Sequence, residues 1–138
     1  MARHYREAPL NGIWEGSGNV IALDVLRAAA KQPESVTVFL DEVRQARGAD
    51  RRLDALAETL AAELAAPAGL EARARRVAGR MAVALQASLL IRRAPQAVAD
   101  AFCAARLGEG VSGVYGELPG GIDQQAIVER ARVTAEAA

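Results

Sequence analysis

Residues 70–93 read LEARARRVAGRMAVALQASLLIRR, a stretch that contains no proline and no run of β-branched residues. Alanine, leucine, arginine and glutamate favour helix, so the stretch predicts one helix of about 24 residues, about 36 Å long. Its first half is amphipathic, whereas residues 81–91 are apolar on nearly all sides. A helix that is apolar all round is buried, so this segment is expected to be the central helix of a bundle.

The flanking sequence repeats helical spacing on both sides of this segment. Prolines, glycines and capping aspartates divide it into predicted helices at 20–31, 33–47, 51–66, 95–107 and 123–134. We therefore predict an all-α fold, a bundle of four to five helices in one domain of 138 residues. Its expected parts are a loop segment at 1–19, the bundle at 20–107, a Gly-rich connection at 108–122 and a C-terminal helix at 123–138.

Composition and charge exclude several classes of protein. Seventeen basic and seventeen acidic residues balance, so no general attraction to nucleic acid or anionic lipid is expected. A lone cysteine, Cys103, and a lone histidine, His4, exclude an internal disulfide and give no metal site. Cys103 is predicted to be a small core residue. The apolar run 81–91 is shorter than the roughly 20 residues that a membrane span needs, so a cytoplasmic protein without a membrane role is expected.

The segment 14–19, WEGSGN, is more specific than a turn requires. Its glycines would let backbone amides approach a phosphate or ribose closely, and the helix that follows adds the positive end of its dipole. A carboxylate beside Trp14 would lie in a poorly solvated wall, which raises its pKa and suits it to act as a base. From the residues alone, a simple helix entry with an exposed Glu15 explains the segment as well.

Residues 5–27, YREAPLNGIWEGSGNVIALDVLR, resemble the C-terminal domain of the flavin-dependent acyl-CoA dehydrogenases, in particular their alkylation-response, AidB-like branch. That family has an aromatic-Glu-Gly-Thr/Ser-x-Asn/Gln motif at this point. The segments 98–107, VADAFCAARL, and 114–131, VYGELPGGIDQQAIVERA, are similar to the end of the same branch. Between them the resemblance rests on helical pattern.

The resemblance implies roles for the residues of the motif. Glu15 matches the glutamate that abstracts the α-proton of an acyl-CoA thioester while the flavin takes the β-hydride. The neighbouring residues would contact FAD, and they are Ile13, Trp14, Gly16, Ser17, Gly18, Asn19 and Val20. The branch is also associated with double-stranded DNA through the helical region after this loop.

The family's N-terminal helical domain and its β-domain, which holds much of the flavin, would precede Met1. The chain is therefore expected to be a portion of such a protein, inactive alone and not retaining FAD, because a cofactor site buries most of its ligand. The expected partners are the flavin-binding domains or a neighbouring subunit. A homo-oligomer is also expected, because lost neighbours would leave apolar faces uncovered.

Arginines support an alternative function, a noncatalytic DNA-binding or protein-interaction module. Sixteen of the seventeen basic residues are arginine, the side chain that forms fork-shaped contacts with phosphate. Three of them fall within about 60° on one face of the predicted central helix at 100° per residue: Arg73, Arg76 and Arg80. They would give weak binding to double-stranded DNA. The competing interpretation is an ordinary solvated face, paired with Glu58, Glu63 and Glu71.

Overall fold

A computed structural model describes residues 2–12, 18–108, 116 and 118–132. These ranges contain seven α-helices and no strand: α1 (Ala2–Glu7), α2 (Gly18–Lys31), α3 (Pro33–Arg44), α4 (Arg51–Ala65), α5 (Ala74–Arg93), α6 (Gln96–Leu107) and α7 (Gln124–Ala131). The prediction of an all-α fold is confirmed. The count of four to five helices is too low, because α1 and α7 add to the five helices α2–α6.

Helix α5 lies at the centre of the bundle, where it packs against α2, α3, α4 and α6. Val77, Ala84 and Ala87 of α5 are fully buried. They belong to one apolar cluster that draws residues from all five helices of the bundle. The predicted role of this segment as the central helix is therefore confirmed.

Sequence periodicity identifies the buried faces of α3 and α4 but not that of α2. Leu53, Leu56 and Leu60 form the buried stripe of α4, as their spacing predicts. On α2 the spacing predicts one face with Val20, Leu23, Leu26 and Ala30, yet Val20 and Leu23 are exposed. The buried residues of α2 are Ala22 and Leu26, so the prediction is confirmed for Leu26 and wrong for Val20 and Leu23.

Helix starts follow the predicted capping chemistry. Pro33 occupies the first turn of α3, where a missing N–H costs nothing. Asp50 accepts a hydrogen bond from the Arg52 amide at the start of α4, and Asp123 does the same for Ala126 at α7. Gly48 has a φ of 84° in the α3–α4 turn, a conformation that disfavours any residue with a Cβ.

The chain departs from the prediction at two helix boundaries. Residues Glu71–Arg73 form a turn of 3₁₀ helix before α5, a common way for an α-helix to begin. At the N-terminus, α1 and a 3₁₀ turn at Ala8–Gly12 lie where a loop was expected. Alanine, arginine and glutamate start this helix, and Pro9 limits it. Among the described helices, none has the length and apolarity that crossing a membrane requires.

Candidate functional site

The predicted flavin-facing motif is described only at its C-terminal end. Glu15 and four of its neighbours lie outside the described residues, and these are Ile13, Trp14, Gly16 and Ser17. Gly18, Asn19 and Val20 form the exposed first turn of α2. The structure therefore describes only the end of the predicted site that lies at the start of α2.

A guanidinium group lies beside this first turn. Nη1 of Arg75, on α5, donates a hydrogen bond to Oδ1 of Asn19 over 3.0 Å. A Cβ atom added to Gly18 would lie 3.2 Å from the same Nη1, which is tighter than an ordinary contact. Arg75 thus lies close to Gly18, at the positive end of the α2 dipole. Two sources of positive potential meet there, and spacing alone did not single out Arg75.

The three arginines of the predicted nucleic-acid face converge on one carboxylate. Glu63, near the end of α4, bonds Arg76 at 3.0 Å and both Arg73 and Arg80 at 3.4 Å. The Glu63 side chain is only 12% exposed, since the arginines cover it. Of the three glutamates considered as partners, Glu63 is the one that these arginines bind. One negative charge therefore offsets part of three positive charges.

A second arginine-rich feature was not evident from the sequence. A cleft of about 1110 Å³ lies between α4, α5 and the end of α6. Six arginines line it: Arg51, Arg52, Arg75, Arg76, Arg80 and Arg106. They come from three helices, so no local motif could have grouped them.

Cys103 lies buried near Asp50, the residue that caps the start of α4. The Cys103 side chain is buried, and burial followed by the nearby Asp50 charge raises the pKa of its thiol to about 11. The hydrogen bond from the Arg52 side chain lowers the pKa of Asp50. The thiol is thus neutral at physiological pH, which confirms the prediction of a core cysteine. Over the described parts of the chain, no group of three or more metal-ligating side chains occurs.

Comparison with known proteins identifies one informative similarity. The chain is 41% identical over 68 residues to the protein named "Putative acyl-CoA dehydrogenase AidB" of Escherichia coli (strain K12). The match covers 49% of this chain and 13% of that protein, so the chain spans a small part of the relative's length. No protein-family model matches the chain. No solved structure matches it either. The resemblance to an AidB-like acyl-CoA dehydrogenase is confirmed for about half of the chain.

Proposed function

We propose that this chain is the C-terminal helical portion of an FAD-dependent acyl-CoA dehydrogenase-like protein and is inactive without the flavin-binding domains. The identity of 41% to the AidB protein over half of the chain carries the proposal. The all-α bundle and the WEGSGN segment agree with it. The partners are the remaining flavin domains or a neighbouring subunit, in the cytoplasm.

The described end of the motif fits an anionic cofactor. Gly18 and Asn19 begin a helix whose first amides have no partner within the helix, and such a terminus binds phosphate or other electron-rich groups. Arg75 adds a fixed positive charge beside them. FAD, when bound, supplies a hydride acceptor. Asn19 and the backbone from Ile13 to Val20 would contact it.

Glu15 would act as the base of this site. Its carboxylate accepts the α-proton of the acyl thioester, and the adjacent Trp14 keeps water away so that the carboxylate is a stronger base than in solution. The role of Glu15 follows from the resemblance and that of Trp14 from its residue type, since both residues precede the described start of α2. The substrate class that this proposal implies is an acyl-CoA.

Substitution of Glu15 tests the chemistry. The chain is fused to the flavin-binding domains of an AidB-like relative, and flavin bleaching by an acyl-CoA is followed anaerobically. Glu15→Gln should abolish flavin reduction while FAD stays bound, because an amide keeps the shape but cannot accept the proton. Glu7→Gln, in exposed α1, is the matched control and should reduce flavin at the wild-type rate. Unchanged reduction in Glu15→Gln would show that the assigned base is wrong.

Loss of the cofactor is the second readout. Ser17→Ala and Asn19→Ala should lower FAD retention on gel filtration of the fusion without removing reduction of the FAD that stays bound. The 138-residue chain alone should be helical and colourless, because its assigned flavin contacts lie in one short segment. Visible flavin absorbance that persists with the chain alone through gel filtration would contradict the proposal.

DNA binding is the second candidate function, and one observation favours it. Arg73, Arg76 and Arg80 are between 38 and 58% exposed and share Glu63 as a counterion, so they retain excess positive charge. We propose weak, sequence-independent contacts with the phosphates of double-stranded DNA. The logarithm of the affinity should fall with the logarithm of the salt concentration by about 0.9 per phosphate neutralised. Replacing all three arginines by glutamate should abolish binding, and equal binding by that variant would remove this candidate.

A further inference from the structure

The arginine cleft is a large concave feature of the described residues that the proposed function leaves unexplained. Its walls come from α4, α5 and the end of α6, and its volume is about 1110 Å³. Small-molecule sites in proteins measure about 300–1,000 Å³, so a nucleotide-sized ligand could enter. The cleft shares Arg75 with the site assigned to FAD, and it shares Arg76 and Arg80 with the face proposed to contact DNA. The inference nevertheless goes beyond the acyl-CoA dehydrogenase proposal.

Among the described residues of the cleft, cations outnumber the carboxylates that are seen to pair with them. None of the described lining residues is acidic, whereas the whole chain has a net charge of zero. Asp50 pairs with Arg52, and Glu63 pairs with Arg76 and Arg80. Arg75 bonds the neutral amide of Asn19. Guanidinium groups bind phosphate through two parallel hydrogen bonds, so several phosphates could be held here.

The exposed Arg51 is the cation of the cleft with the fewest constraints. It is the first residue of α4, and within the described ranges its side chain has no hydrogen bond or ion pair. An exposed cation with no internal partner is available to an external anion without the loss of an existing bond. Arg51 is therefore the best single position at which to test ligand binding.

Part of the cleft lining is apolar, and this part, here called its floor, includes an open glycine. Leu56, Val83 and Leu107 line it together with Gly79. Gly79 lies inside α5, where glycine costs about 1 kcal/mol relative to alanine. A Cβ atom added there would meet no atom within 4 Å, so core packing does not require the glycine. Its lack of a side chain keeps this part of the cleft open.

We propose that the cleft binds a small molecule in which two or more linked phosphates are attached to an organic body, the chemistry of a nucleoside diphosphate or triphosphate. The phosphates would bind the arginines of the walls. The organic body would lie on the floor near Gly79 and Leu56. A rigid duplex presents its phosphates on a convex surface, which suits such a concave cleft less well.

Calorimetric titration of the 138-residue chain tests this site. ATP, AMP and inorganic tripolyphosphate are titrated separately with EDTA present, so that no metal bridges the phosphates. We expect ATP to bind at least tenfold more tightly than AMP, because the linked phosphates reach more arginines. We also expect ATP to bind at least fivefold more tightly than tripolyphosphate, because the organic body contacts the apolar floor.

Two variants and one control locate the bound ligand. Arg51→Gln should weaken ATP binding at least fivefold by removing a cation. Gly79→Leu should reduce it at least tenfold by filling the cleft, while leucine, the better helix former, keeps the fold intact on thermal melting. Arg93→Gln removes an exposed arginine at the other end of α5, outside the cleft, and should leave binding within twofold of wild type.

Several results would overturn the proposal. They are an absence of ATP binding, equal affinity for ATP and tripolyphosphate, or equal losses in Arg51→Gln and Arg93→Gln. If the chain binds a DNA duplex that saturating ATP does not displace, and if the chain itself does not bind ATP, that result would also count against the proposal. None of these results depends on flavin reduction, so failure here leaves the acyl-CoA dehydrogenase proposal intact, and loss of Glu15 activity leaves this one intact.

Discussion

Arg75 and Asn19 are 56 positions apart in sequence, yet Nη1 of Arg75 donates to Oδ1 of Asn19 over 3.0 Å. The bond joins the first turn of α2 to the start of α5, the pair of helices with the most extensive packing in the bundle. It therefore connects the described end of the WEGSGN segment to the central helix. A ligand bound at that turn would meet a guanidinium group already held in place.

The Arg75–Asn19 bond should contribute little to stability, because both side chains are exposed and water competes for them. A double-mutant cycle with Arg75→Gln and Asn19→Ala is expected to give a coupling free energy of about 0.2–1 kcal/mol. Urea unfolding of the four proteins measures it. A coupling well above that range would show that the bond holds the fold together rather than preparing a binding site.

Glu63 should matter more to stability than its neighbours on α4. It binds three arginines and is almost covered by them, so Glu63→Gln leaves those cations without a counterion. We expect a loss of about 1.5–3 kcal/mol, the range for hydrogen bonds to charged groups. Glu58→Gln is the matched control, since Glu58 is exposed and its only ion pair in the described residues is a 3.9 Å contact with Arg44.

Chemical denaturation of both variants decides the point. Glu58→Gln should stay within about 0.5 kcal/mol of wild type, as surface substitutions usually do. Equal losses in the two variants would mean that the three arginines are held by solvent and not by Glu63. The face proposed to bind double-stranded DNA would then carry the full positive charge of its three arginines.

Helix positions were predictable because proline and aspartate mark helix starts, and leucine marks a buried face, through effects within a few residues of the sequence. Asp50 and Pro33 mark helix starts through backbone chemistry that needs no tertiary information. The leucine stripe of α4 marks its buried face because leucines are sparse on the other faces. On α2 the same reasoning identified Leu26 but failed at Val20 and Leu23, because in an alanine-rich chain a small residue such as Ala22 can be the buried one. The spacing of large side chains then no longer identifies the core.

The two arginine clusters were predictable only in part. The predicted helix contained Arg73, Arg76 and Arg80, so 100° per residue placed them together, although Arg73 lies in the 3₁₀ turn just before α5. Their convergence on Glu63 depends on how the chain turns between α4 and α5, which the spacing does not specify. The cleft needs the packing of three helices as well. For the same reason the bond between Arg75 and Asn19 could not be inferred before the fold was known.

The cap of α4 should make stability depend on pH. The side chain of Arg52 lowers the pKa of Asp50 below its ordinary value of 3.8. Because the folded carboxylate holds its proton less tightly than the unfolded one, Asp50 stabilises the fold above about pH 4, and this contribution is lost as pH falls through the folded pKa. Asp50→Asn keeps a capping oxygen but removes the charge. The stability of this variant should therefore change less than that of wild type between about pH 6 and about pH 3, which lie on either side of the unfolded pKa.

Asp50→Ala completes that comparison. It removes the capping oxygen that accepts from the Arg52 amide, at a cost of about 1 kcal/mol at neutral pH. Thermal melts of the three proteins at both pH values separate the cap from the charge. If Asp50→Asn keeps the whole pH dependence of wild type, the acid sensitivity arises elsewhere.

Cys103 should resist thiol reagents in the folded protein. Its side chain is 1% exposed, and burial raises its pKa to about 11, so the reactive thiolate is scarce at neutral pH. Alkylation by iodoacetamide should be at least about a hundredfold slower in buffer than in denaturant, where the exposed thiol has a pKa near 8.5. Mass spectrometry of quenched samples gives both rates. Rapid labelling of the native chain would show that α6 opens readily.

Self-association is expected to involve the start of α2. Val20, Ile21 and Leu23 are 49, 42 and 40% exposed there, a concentration of apolar surface that favours a partner. We predict a homodimer or larger oligomer that buries at least about 1,000 Å², the scale of a specific interface. Light scattering coupled to gel filtration, at a protein concentration of tens of micromolar, measures the mass of the oligomer.

A charge-insertion pair then locates the interface. Val20→Glu combined with Leu23→Glu should shift the protein to monomer, because a carboxylate desolvated against an apolar partner is costly. Val128→Glu is the control: this residue of α7 is also exposed and apolar but lies on a different helix. The wild-type chain running as a monomer, or dissociation by Val128→Glu alone, would exclude α2 as the contact. In that case the apolar start of α2 remains available to the flavin-binding domains proposed as partners.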